Sequence, residues 1–315
     1  MQLQTEIKIA EQQPKIDYSS KVLLLGSCFS ENVGEKFEFF KFQNLQNPFG
    51  ILFHPFAIEN FLEKVVTQKK YTAEDVFLHQ EIYSSFEAHS RLNALSQKEI
   101  LNNLNAALSV TQLFLKKATH VTITLGTAWV YKHLEQQKYV ANCHKLPQKN
   151  FEKEISSVPE IKKSLEKIVE LIQQLNQTAA IIFTISPVRH AKDGFVENQQ
   201  SKAHLVASLH QIIQQREKVF YFPSYEIMMD ELRDYRFYAA DLLHPNQIAV
   251  DYIWDKFVDT WFSPSVLSVM KEVKQIQQGL AHKPFNIHSE AHQKFQQKLQ
   301  QKVEKLQQQF PFISF

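Results

Sequence analysis

Glycine is scarce in this 315-residue chain: six occur, where average usage would give about 22. A chain this sparing keeps glycine where backbone geometry requires it. Gly26, Gly50 and Gly126, each at the end of an apolar run or at a sharp turn, therefore mark the first places to look for a site. Charge of one sign is also lacking. Lysine and arginine total 35 against 33 acidic residues, a net charge of +2. That balance gives no reason to expect nucleic acid or an anionic membrane as a partner. No apolar run approaches the roughly 18 residues that a membrane-spanning helix needs. The first fifteen residues also lack the apolar stretch of a signal peptide, so the expected location is cytoplasmic. Only two cysteines occur, Cys28 and Cys143. In a reducing compartment both remain free, for chemistry or for packing.

What is present alternates. Residues 22–25 form a short apolar run ending in Gly26-Ser27-Cys28, which reads as a buried strand entering a tight turn. A helix is expected over 30–41, with Ser30 as its N-cap and Val33, Phe37 and Phe40 on one face. Asn47-Pro48-Phe49-Gly50 is turn chemistry. Helices are expected over 54–66, 96–117, 151–177, 198–215 and 246–262, and buried strands over 120–126, 179–185 and 219–221. Residues 129–131 and 138–141 can pair as a hairpin that delivers Asn142-Cys143-His144. Strands separated by helices of a dozen residues imply a mostly parallel sheet covered on both faces. In such sheets ligands bind beyond the carboxyl ends of the strands. Beyond residue 263 the composition shifts to glutamine and lysine, with Phe295, Leu299, Val303, Leu306 and Phe310 at helical spacing. The expected division is an α/β domain over 1–263 and a helical extension over 264–315, packing on the domain or on a partner chain.

Asp241-Leu242-Leu243-His244-Pro245 precedes the last core helix. A carboxylate three residues before a histidine in a turn can fix the imidazole tautomer and leave the other nitrogen as a general base. The plain alternative is two polar residues in a surface loop. A base needs a nucleophile, and Ser27 and Cys28 are both available where a strand ends and a helix N-terminus favours negative charge. Cysteine is also often a small buried hydrophobe. Among the other candidates, His144 and His190 follow a hairpin and a strand, and His89 with Arg91 could bind a carboxylate or phosphate. Each could equally satisfy a backbone carbonyl. Zinc held by Cys28, Cys143, His144 and His244 is a rival arrangement of suitable ligand types, but the usual short ligand spacings are missing. The expected metal set is therefore none, and no cofactor is called for.

Several segments in this order resemble the GSCFA family, a branch of the SGNH/GDSL hydrolase superfamily. They are Gly26-Ser27-Cys28-Phe29, Asn47-Pro48-Phe49-Gly50-Ile51, His89-Ser90-Arg91, Asn142-Cys143-His144-Lys145, Ser186-Pro187-Val188-Arg189-His190, Asp234-Tyr235-Arg236-Phe237-Tyr238 and Asp241 to Pro245. The resemblance implies a three-layer α/β/α, flavodoxin-like fold and ester or acyl chemistry. The superfamily places its nucleophilic serine two residues after a glycine. That position falls on Cys28 here, with Ser27 at the preceding aspartate, so Cys28 is the favoured nucleophile and Ser27 the alternative. The resemblance assigns Asp241 and His244 to the orienting acid and base, and Gly50 to an oxyanion-binding N–H. The third superfamily motif offers an asparagine where Ala128 stands, and Asn142 is the natural replacement. The functional expectation is a hydrolase of a small-molecule or glycan ester, with a pocket lined by Phe49, Trp129, Tyr235 and Tyr238. Acyl transfer through the same nucleophile and a non-catalytic binding module are the alternatives.

Overall fold

The computed structural model describes residues 5–315. In chain order the strands are β1 (Lys21–Gly26), β2 (Gln43–Gln46), β3 (Phe77–His79), β4 (Ile82–Ser84), β5 (His120–Leu125), β6 (Trp129–His133), β7 (Lys138–Val140), β8 (Phe151–Ile155), β9 (Ala180–Ile185) and β10 (Val219–Phe222). The helices are α1 (Cys28–Phe39), α2 (Pro55–Thr67), α3 (Gln97–Leu115), α4 (Val158–Leu175), α5 (Phe195–Ile213), the single turn α6 (Ser224–Glu226), α7 (Gln247–Trp261), α8 (Val266–Ala281) and α9 (Glu290–Gln309). Five strands make one parallel sheet in the order β2-β1-β5-β9-β10. This is the flavodoxin-like order, and its direction reverses between β1 and β5, where a ligand crevice is expected.

The side-chain period of two divides the core between the two faces. Leu23, Leu25, Val121, Ile123, Ile181 and Phe183 face one cluster, which α2, α3, α4 and α5 cover with residues such as Phe61, Leu104, Leu165 and Leu205. Val22, Leu24 and Ile182 face the other, which is rich in aromatic rings: Phe29 and Phe37 of α1 and Trp254, Phe257 and Trp261 of α7. Val273 and Ile276 of α8 and Leu299, Val303 and Leu306 of α9 belong to that second cluster, so both C-terminal helices are built into the same face. The result is the three-layer α/β/α arrangement.

The structure differs from the sequence expectation at four places. Helix α1 begins at Cys28 with Ser27 as its N-cap. Ser30 is not the cap but a buried first-turn residue, whose hydroxyl bonds Leu25 O and Thr124 Oγ1, both at 2.8 Å. The segment 151–177 is not one helix. Its first five residues are β8, paired antiparallel with β6, and α4 starts only after a capping box. Ser157 and Glu160 satisfy each other's backbone N–H groups there, with Pro159 in the first turn, a strong local stop against helix on the upstream side. The edge strand β2 and the hairpin β3–β4 are additions. Strands β6 and β7 do pair as the expected hairpin. Among the described residues, no helix is long and apolar enough to cross a membrane.

Candidate active site

The turn after β1 is held from three sides. Gly26 sits at φ +126°, and a Cβ there would lie 2.1 Å from Thr124 O, so a side chain is excluded. Gly26 N–H donates to the Asn47 side chain (2.9 Å), Ser27 N–H to Thr124 O (3.0 Å), and Gly26 O accepts from Leu52 N–H (2.9 Å). Ser27 is consequently fully buried, and its hydroxyl has no partner among the described residues. Cys28, one residue on, is half-buried at the first position of α1.

Burial pushes the Cys28 thiol above its ordinary value, and nearby Glu31 acts in the same direction. The Lys202 charge and the N–H groups of Cys28 and Phe29 work the other way without prevailing. The helix N-terminus does favour the thiolate, as expected, but desolvation outweighs it in the free protein.

The second half lies in the loop between α6 and α7. Asp241 Oδ1 accepts from the N–H groups of Leu243 (2.9 Å) and His244 (3.0 Å), and Oδ2 lies 2.6 Å from His244 Nδ1. These backbone N–H groups first, and the imidazole after them, hold the Asp241 carboxyl down at about 2. An ionised carboxylate only accepts, so the His244 Nδ1 beside it is the donor, and in the neutral imidazole Nε2 is then the acceptor nitrogen. Both side chains are about half exposed.

Cys28 and His244 make no hydrogen bond to each other. Two other groups stand at the same rim. Lys202, on α5, is 1% exposed, and its amine donates to Gly126 O (2.7 Å) and Ser186 O (2.8 Å) after β5 and β9. His190, after β9, feels the charges of both Lys202 and His244. Arg189 N–H also donates to Leu243 O (3.1 Å), tying the segment after β9 to the Asp241–His244 loop. Burial, followed by the Lys202 charge, depresses His190 to about 4, and its Nε2 is buried without a partner among the described residues.

Beside these groups opens a cleft of about 370 Å³. Phe53, His89, Trp129, Tyr131, Asn142, Cys143 and His190 are among its walls, so Asn142, His89 and His190 share one space. Asn142 Oδ1 accepts from His144 N–H (2.9 Å). Ala128 is fully buried, its N–H bound to Ser201 Oγ at 2.7 Å, and contributes nothing to the cleft. Gly50 packs against His89, whose Cβ would lie 2.4 Å from a Cβ on Gly50. The Gly50 N–H donates to Asn47 O at 2.7 Å within its own turn.

Other candidates lie apart from the cleft. His144 is buried with Nε2 2.7 Å from Ser85 O, the backbone-satisfying role. Arg91 is exposed and pairs with Glu31 (2.7 Å), bracing α1 next to Cys28. Phe49 is buried against Phe61 and Tyr71 in the core, and Tyr235 and Tyr238 line a separate hollow with Arg189, so of the four expected pocket aromatics only Trp129 is in this cleft. Among the described residues no three His, Cys, Asp or Glu side chains converge to hold a metal, so Cys28, Cys143, His144 and His244 do not form the rival zinc set.

Sequence reasoning missed Lys202. Its signal was positional: it falls in the stripe Asn198, Lys202, Leu205, Leu209, Ile212 that α5 buries.

A three-layer α/β/α fold with a glycine turn after β1 and an Asp-His pair before α7 defines the class. Within it, the chain belongs to the GSCFA family: that family's model matches residues 21–257, and the model described as GSCFA domain protein, C-terminal domain matches 273–315. No curated protein matches the chain. Among solved structures it is similar to a Clostridium thermocellum family 3 carbohydrate esterase, at 9% identity and TM-score 0.35, covering 80% of this chain and 97% of that one. It is also similar to a carbohydrate esterase family 3 structure from Talaromyces cellulolyticus (9%, TM-score 0.36, 80% and 99% covered). A third is an acetyl esterase mutant S10A with acetate ion (10%, TM-score 0.37, 81% and 99% covered).

Proposed function

We propose that the protein hydrolyses an ester through a covalent thioester on Cys28, with His244 as base and Asp241 as its orienting carboxylate. The observation that carries the reading is the Asp241–His244 pair, which fixes the proton on Nδ1 and leaves Nε2 to take another. Cys28 is preferred to Ser27 because Ser27 is fully buried while the thiol is partly open. On substrate binding His244 Nε2 takes the thiol proton as sulfur attacks the ester carbonyl. The tetrahedral oxyanion collapses, and the leaving alcohol receives that proton. Water, activated by the same nitrogen, then releases the acid and restores the thiol. The Cys28 N–H, the Asn142 amide and, if it turns from Asn47 O, the Gly50 N–H are the oxyanion donors of this scheme. The cleft beside them, with Phe53, Trp129 and Tyr131, suits an acyl chain, a sugar face or an aromatic alcohol.

The commitment of the Gly50 N–H to its own turn favours one other reading, a binding module on the same fold. Brief exposure to p-nitrophenyl acetate followed by peptide-mapped mass spectrometry separates the two. An acetyl group on Cys28, absent in His244→Ala, is expected. An acetyl group on Ser27 would overturn the choice of nucleophile, and no adduct with no nitrophenol released would favour the binding module. Adduct that persists until a second alcohol or amine is added would mark an acyltransferase.

A further inference from the structure

The hollow that Arg189 shares with Tyr235 and Tyr238 measures about 210 Å³ and also has Met229, Arg233 and Asp234 in its walls. Its charge does not balance. Asp234 is taken up by Arg236, through the Arg236 N–H (2.9 Å) and the guanidinium Nε (3.6 Å). Among the described residues Arg189 and Arg233 make no ion pair, so two guanidinium groups line the hollow without a carboxylate of their own. Arg189 is half-buried, and has given up hydration without gaining a counter-charge.

The Arg189 guanidinium is nevertheless held in place. Its Cζ lies 4.6 Å from the centre of the Tyr238 ring and 5.9 Å from that of the Tyr235 ring. One Arg189 N–H bonds the Tyr238 oxygen, whose own O–H donates to Met229 Sδ at 3.8 Å. The other N–H groups of the fork remain for an acceptor. A π-helical turn at Ile227–Glu231 supplies the Met229 wall, and such turns recur at functional sites.

Backbone contacts tie the hollow to the Asp241–His244 loop. Arg189 N–H donates to Leu243 O (3.1 Å), Ala239 N–H donates to His244 O (2.7 Å), and Tyr238 pairs with Pro245 in an antiparallel bridge. The residue after Arg189 is His190, a wall of the cleft. Hollow and cleft therefore meet at consecutive residues, beside the loop that carries the proposed base.

We propose that this hollow binds the anionic group, a carboxylate or a phosphate, of a substrate whose ester lies in the neighbouring cleft. Arg189 and Arg233 are its specificity determinants, since both anions offer the paired oxygens that a guanidinium fork matches. That the ligand is a substrate rests on the esterase reading, whereas the anion site stands on its own residues.

The test is isothermal titration calorimetry of the full chain with sodium benzoate, phenyl phosphate and benzamide, none of which is a carboxylic ester. Benzamide has the shape of benzoate without its charge. One of the two anions should bind roughly tenfold or more tightly than benzamide, and about tenfold more weakly to Arg233→Gln than to the unaltered protein. Arg233 is exposed, so this variant should fold. Arg189→Lys should weaken the same anion, because it keeps the charge and loses the fork. Arg216→Gln removes an arginine paired with Glu170 on α4 and should bind the anion as the unaltered protein does. Tighter phenyl phosphate would mark a phosphate-bearing ester, and tighter benzoate a carboxylate-bearing one. Anions held no better than benzamide, or equally well by Arg233→Gln, would overturn the proposal. So would an equal loss in Arg216→Gln, the sign of general charge attraction. Anion binding by a chain that releases no nitrophenol from p-nitrophenyl acetate would remove the esterase and leave the site. Nitrophenol released without anion binding would remove the site alone.

Discussion

Cys28 and His244 carry the two halves of the proposed chemistry, and their surroundings differ in kind. The turn holding Cys28 is built from long-range contacts: Asn47, Leu52 and Thr124 bind its backbone. The loop holding His244 is local, since the Asp241 carboxylate closes on the two N–H groups and the imidazole that follow it within three residues. Burial raises the thiol on one side, while exposed hydrogen bonds hold the carboxylate low on the other. In the proposed chemistry the sulfur is therefore a thiol until the base takes its proton.

The largest test of that division is His244→Ala. Removal of a general base costs catalysis on the order of a thousandfold. Because the residue is half exposed and local, the melting temperature should stay within a degree or two of the unaltered protein, about the effect of a neutral surface change. Steady-state hydrolysis of p-nitrophenyl acetate with a thermal melt reads both. Activity retained would remove His244 from the chemistry.

Gly26→Ala breaks the other side, and through stability first. The backbone there is at φ +126° and the new methyl would meet Thr124 O, so the turn must shift. We expect a loss of about 3 kcal/mol or more in urea unfolding. A loss under 1 kcal/mol would show that the turn is not the rigid half. Asp241→Asn should have a smaller effect on activity, about ten- to a hundredfold, because water can partly replace an exposed carboxylate. A loss as large as that of His244→Ala would mean that the loop becomes buried when substrate binds.

The same division decides what could be read from the sequence. The β-branched runs His120–Leu125 and Ala180–Ile185, with helices between them, were enough for the parallel sheet, because period and composition are local properties. The Asp241–His244 spacing was legible for the same reason. Lys202 was not, because a lysine in a helix normally faces water, and only its register with Leu205 and Leu209 hints otherwise. Phe49 sits in a turn and reads as a pocket wall, yet α2 brings Phe61 over it. The thiol of Cys28 reads as activated by its helix, and burial by distant elements reverses the balance. Strand β8 was hidden by a helix-like pattern that runs on from Phe151, the break being visible only as Ser157-Val158-Pro159-Glu160.

His54 extends the comparison to a group whose titration reports on the buried side alone. It caps α2, is 4% exposed, and its ring bridges two elements: Nδ1 accepts from Ala57 N–H (3.3 Å) and Nε2 meets Val140 O at 3.1 Å. An added proton on Nδ1 would face the Ala57 N–H with no acceptor, and burial holds the imidazole down to about 4. The folded value lies below the unfolded value near 6.5, so the stability linked to His54 is full above that pH and is lost as pH falls toward 4. At pH 5 the loss is on the order of 2 kcal/mol. His54→Asn keeps a good N-cap and removes the titration. The fall in urea midpoint between pH 7 and pH 5 should therefore shrink in that variant, with His120, His144 and His190, all lowered by burial, supplying the remainder. An equal fall in both proteins would mean that water reaches the His54 ring through the cleft, and that the wall between His54 and Val140 opens in solution.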